Sequence, residues 1–125
     1  MILIILLFNK MISATLLILT IGVVIIDCIA QTIVRLYWEN KDRFYLMLVT
    51  WAIYFGAISI LVLMYDYSKI AIANALWDSG SIVCLSLIGY FYFGEPLNVG
   101  EIIGMSIVII GSLVIGFTAG ERAED

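Results

Sequence analysis

Residues 11–36 read MISATLLILTIGVVIIDCIAQTIVRL, an apolar run of 26 residues with one acid, Asp27, near its middle. A helix needs roughly 20 mostly apolar residues to cross about 30 Å of hydrocarbon. This stretch therefore predicts a membrane span, with Lys10 before it and Arg35 at its far end placed to reach the headgroups. The pattern recurs downstream, predicting further spans at about residues 44–65, 70–93 and 99–118. The connections are short: the charged segment Trp38-Glu-Asn-Lys-Asp-Arg43, the turn Asp66-Tyr-Ser-Lys69, and the loop Gly94-Glu-Pro-Leu97. Tyr37, Trp38 and Tyr45 fall where an interfacial aromatic belt would lie. Asn98, with Glu101 three residues on, makes a capping box for the last span. The predicted fold is an all-α membrane protein, one four-transmembrane-helix bundle over residues 1–125.

Composition agrees. Of 125 residues, 64% are hydrophobic and 13% charged, against about 45–50% apolar content in a soluble domain. Four spans leave no room for a soluble domain. Met1–Phe8 lacks the basic start of a cleavable signal peptide and no small-residue cleavage site follows Lys10, so this segment lengthens span one or lies at the interface. So few basic residues do not suit a nucleic-acid partner. Cys28 and Cys84 both fall within spans and there is no histidine, so they read as packing residues, with no metal and no cofactor expected. No nucleophile with a base and no phosphate loop suggests an enzyme, and no Thr-Val-Gly-Tyr-Gly run suggests a potassium channel.

Basic residues near span ends normally mark the cytoplasmic side. Here Lys10, Lys69 and Arg122 share the side of the N-terminus and Arg35, Lys41 and Arg43 lie on the other, three against three. A chain without bias can insert both ways and pair with its inverted copy; equally, six basic residues are few to judge by.

Asp27 is the residue that needs explaining, because an aspartate at mid-span costs roughly 2.5–3.5 kcal/mol on insertion scales. Thr20, Asp27 and Gln31 form a polar stripe at helical spacing that should face protein or water. A carboxyl there can exchange a proton for a cation and so couple the two by competition; a purely structural acid, hydrogen-bonded between helices, is the alternative. Asp78 reads as a second buried acid, sharing a face of span three with Asn74, Ser81 and Leu85. Trp77 beside it could offer a π-face to a cation or simply pack. Asp78-Ser-Gly-Ser81 interrupts good helix-forming sequence, which would let span three bend or bring another helix close. Tyr54 on span two could donate to a carboxylate or substrate. Gly104 and Gly111, seven apart on span four, suit a dimer seam.

These residues together resemble the small multidrug resistance transporters of the drug/metabolite transporter superfamily. The likeness is clearest in Ile72-Ala-Asn-Ala-Leu-Trp77-Asp-Ser-Gly-Ser81, in Phe91-Tyr-Phe-Gly-Glu-Pro-Leu-Asn98, and in Ile102-Ile-Gly-Met105 through Gly111. The family carries at those places an Ile-Ala-Tyr-Ala-x-Trp stretch, a Gly-Glu or Gly-Gln loop and fourth-helix glycines. In that register Asp27 stands where the family has its membrane glutamate, with Ala30 and Thr32 on the small-residue face. Trp77 matches the substrate-stacking tryptophan and Tyr54 the chamber tyrosine. Asn74 replaces a tyrosine and Asp78 a small residue. The resemblance implies a multi-pass protein of the cell membrane, an antiparallel dual-topology homodimer with one chamber, exporting small organic or guanidinium-like cations against protons. Asp27 would couple the two, and Trp77, Tyr54, Asn74, Asp78, Gln31 and Ser81 would bind substrate. A subunit of a lipid-linked sugar flippase, or an accessory subunit that moves nothing itself, are the other readings.

Overall fold

The structure is a computed structural model that describes residues 1–4 and 14–122. Residues 11–13 of the predicted first span, Lys10, residues 5–8 of the N-terminal segment and the last acids of the tail lie outside the described residues. Four long helices follow in order: α1 (Ala14–Glu39), α2 (Tyr45–Met64), α3 (Ile70–Phe91) and α4 (Val99–Arg122). The first three are long and apolar enough to cross a membrane, and Val99–Ile115 of α4 forms a shorter apolar helix. The result is a small multi-pass helical bundle.

Each break has a local cause. After α1, the Asn40 side chain accepts a hydrogen bond from the Asp42 N–H at 3.2 Å and turns the chain. After α3, Gly94 takes a φ of 67°, a left-handed conformation that glycine adopts without a Cβ penalty, and Pro96 behind it cannot continue a helix. Span three ends two residues earlier than predicted, at Phe91, as the chain turns towards Gly94. At the start of α4 the Glu101 N–H donates to Asn98 Oδ1 at 2.9 Å and the Asn98 N–H to Glu101 Oε2 at 2.8 Å, the reciprocal geometry of a capping box.

α1 is the centre of the bundle, packing against both α2 and α3, while α4 lies chiefly against α3. Leu16, Val23, Ala57, Met64 and Ala73 form the buried core, with Tyr54, Leu76 and Trp77 packed around it. Ile18, Ile21, Ile25 and Ile29 line the outer stripe of α1 and Trp51, Phe55, Ile58 and Val62 that of α2, all exposed on the protomer as a lipid-facing surface requires. α3 runs unbroken through Asp78–Ser81, where the sequence predicts an interruption. Gly80 shows why small residues stand there: a Cβ at this position would lie 2.6 Å from Val24 Cγ2 of α1. The patch brings α3 close to α1.

Candidate functional site

That close approach carries Trp77 and Ser81 of α3 to Asp27 of α1. Asp27 is 4% exposed, and its carboxylate accepts from four side chains on three helices. Tyr54 Oη of α2 donates to Oδ1 at 3.0 Å. Trp77 Nε1 donates to Oδ2 at 3.0 Å and Ser81 Oγ to the same oxygen at 2.6 Å. Gln31 Nε2, one turn further along α1, bridges Oδ1 and Oδ2 at 3.0 and 3.1 Å. Every donor is neutral, and Asp27 has no cationic partner among the described residues. A carboxylate that is ionised offers about four lone-pair sites, and the four side chains of this cage meet them with neutral donors.

The remaining predicted site residues fall elsewhere. Thr20 is buried but donates to the Leu16 carbonyl at 2.8 Å, and so takes no part in the cage. Asn74 is half-buried on α3 and is not among the donors. Asp78 corrects the expectation of a second buried acid: it is exposed on the protomer and has no hydrogen-bond or ion-pair partner among the described residues. Helical geometry explains this. Trp77 and Ser81, four apart, share the face turned to α1, and Asp78 is rotated about 100° from Trp77. Gly104 and Gly111 are exposed on α4 with nothing within 4 Å of where a Cβ would stand. Cys28 and Cys84 are free thiols.

Sequence reading missed a second cluster at the end of α1. Arg35 Nε donates to Glu95 Oε1 at 3.1 Å across 60 residues of sequence, and Arg35 also lies 3.9 Å from Glu39. Its guanidinium sits over the Trp38 ring at 4.6 Å and the Phe93 ring at 5.3 Å. The family-like Gly94-Glu95 pair and the spacing of Gln31, Arg35 and Glu39 were the available signals.

The fold and the site together define a small multi-pass helical membrane bundle built round one caged carboxylate, Asp27, with no counter-ion among the described residues. Over 94 residues, 75% of its length, the chain is 29% identical to the multidrug transporter EmrE of Escherichia coli (strain K12), covering 84% of that protein. Over 62 residues, 50% of its length, it is 34% identical to the multidrug transporter PA4990 of Pseudomonas aeruginosa, covering 56% of it. No family model and no solved structure matches the chain. The chain is thus similar to small multidrug resistance proteins, and these relatives are named as transporters, not enzymes.

Proposed function

We propose that the protein is a secondary transporter of the cell membrane that exports organic cations in exchange for protons, as a homodimer of inversely oriented copies. The observation that carries this reading is the Asp27 carboxylate, 4% exposed and held by neutral donors only. Desolvating a charge is costly, and neutral dipoles offset the cost less fully than an opposite charge does. The group is therefore ready to take up a cation or a proton, and the two exclude each other. Trp77 spends its N–H on Asp27 and is only partly buried, and in this reading its ring offers a π-face to the cation. Asn74 and Asp78 stand on the adjoining flank of α3, which a second copy would close into a chamber.

The sign of the pH dependence follows from competition. Protonation removes the charge that attracts the cation, so apparent affinity falls as pH is lowered, by about tenfold per unit once the protonated form dominates. In proteoliposomes with an imposed proton gradient, the parent accumulates a quaternary ammonium or guanidinium probe and Asp27→Asn does not. Gradient-driven accumulation that survives in Asp27→Asn would sink the reading.

A further inference from the structure

Asp27, Gln31, Arg35 and Glu39 recur every fourth residue and so form one polar ladder on α1, from the caged carboxylate to the end of the helix. Gln31 bridges both oxygens of the nearly inaccessible Asp27, yet is itself exposed. It is the outer cover of the cage. Against it lies a cavity of about 160 Å³, with Gln31, Thr32, Arg35 and Glu95 as its polar lining and Leu85 and Ile88 among its apolar lining. That is room for several waters or one small planar cation.

The outer end of this cavity is formed by the clamp around Arg35, and the chain shapes that clamp in detail. The left-handed turn at Gly94 folds the α3–α4 loop back so that the Glu95 N–H donates to the Gly89 carbonyl at 2.9 Å. Gly89 leaves space for the Glu95 side chain, since a Cβ there would stand 2.9 Å from Glu95 Oε2. Glu95 then meets Arg35, whose guanidinium is set between two carboxylates and two aromatic rings. These are the features that recognise a delocalised organic cation. The ion pair is half exposed, with side chains 32% and 53% accessible, and a pair so exposed is weak enough to open without disturbing the bundle.

We propose that this cavity is the access route to Asp27 from the membrane face at the end of α1, and that Arg35 is its gate: a tethered cation, held by Glu95, Trp38 and Phe93, which an incoming planar organic cation displaces. The inference rests on the reading of Asp27 as the cation site, and it can be tested without transport.

The reporter is Thr32→Cys in full-length protein whose Cys28 and Cys84 are replaced by alanine. A small charged methanethiosulfonate reagent is supplied on both sides of the liposome membrane. Labelling is slow in this parent, compared with Asn40→Cys in the loop, and Glu95→Gln or Arg35→Ala speeds it by about fivefold, the scale of one exposed ion pair. If neither variant folds, the parent in about 1 M salt serves instead, where screening shortens to about 3 Å and loosens the pair. Millimolar guanidinium, which competes for the clamp, also speeds labelling. Equal rates in parent, variants and high salt, or a parent labelled as fast as Asn40→Cys, overturn the gate. Such a result beside a transport-dead Asp27→Asn would remove the gate and leave the transporter; a salt-sensitive rate beside an Asp27→Asn that still accumulates the probe would keep the clamp as a closure of the cavity and remove Asp27 as the site it serves.

Discussion

Asp27 sits in a cage whose members are unequal. Ser81 makes the shortest bond, 2.6 Å, and Gln31 is the only exposed donor. A hydrogen bond to a charged group contributes roughly 1.5–3 kcal/mol, and part of that is lost when a donor is removed from a buried anion. Trp77→Phe keeps a ring in place but deletes the N–H to Oδ2. It should lower stability in detergent by about 1–2 kcal/mol, and the loss should shrink in the Asp27→Asn background, where no anion needs the donor. A double-mutant cycle of thermal unfolding measures the difference. A coupling energy near zero would mean that the indole packs against the acid without holding it.

At the scale of the element, the contact of α1 with α3 decides which side chains can reach Asp27. Gly80 is its closest point, and the atom a new Cβ would meet, Val24 Cγ2 at 2.6 Å, belongs to a short, stiff side chain. Alanine gains about 1 kcal/mol in helix propensity over glycine, whereas overpacking costs about 1–3 kcal/mol. Gly80→Ala should therefore be neutral to destabilising by up to about 2 kcal/mol. Paired with Val24→Ala, which makes room, it should recover; unfolding of both variants and the pair reads this directly. The helices themselves were legible in the sequence because apolar runs and their charged punctuation are local signals, and so was the capping box of Asn98 and Glu101. Asp27, Tyr54 and Trp77 could be picked out because a polar or aromatic group in a span is conspicuous. Ser81 and Asp78 could not be told apart, because both are polar and they stand three positions apart on one helix. Which one meets Asp27 depends on the rotation of α3, and that is set by the fit of Gly80 on Val24. The clamp of Arg35 was hidden for a similar reason: its partner is 60 residues away and reaches it only through the turn at Gly94.

For the whole molecule, the placement of charge leaves one residue unexplained by the single protomer. Asp78 is the ninth residue of α3, about 12 Å along a helix of roughly 33 Å, and it is exposed there without a partner among the described residues. An acid facing lipid at that depth costs roughly 2.5–3.5 kcal/mol. The basic residues among the described ones all lie near helix ends or in loops, so the described part of a second copy has no cation at mid-depth to offer it. What a second copy can offer is shelter from lipid and a shared, water-lined space in which the acid stays solvated or meets a cationic cargo. The proposed homodimer thus predicts that position 78 is remote from lipid, although on one protomer it is exposed, as the outer stripe is. An environment-sensitive fluorophore on Asp78→Cys, with Cys28 and Cys84 replaced, should be quenched several-fold less by brominated lipid than the same probe on Ile25→Cys, which is 53% exposed on the outer stripe of α1. Dilution into excess lipid, which separates the copies, should raise quenching at position 78 and leave position 25 unchanged. If both positions are quenched alike at every dilution, the flank of α3 that carries Asp78 faces lipid and the second copy does not cover it.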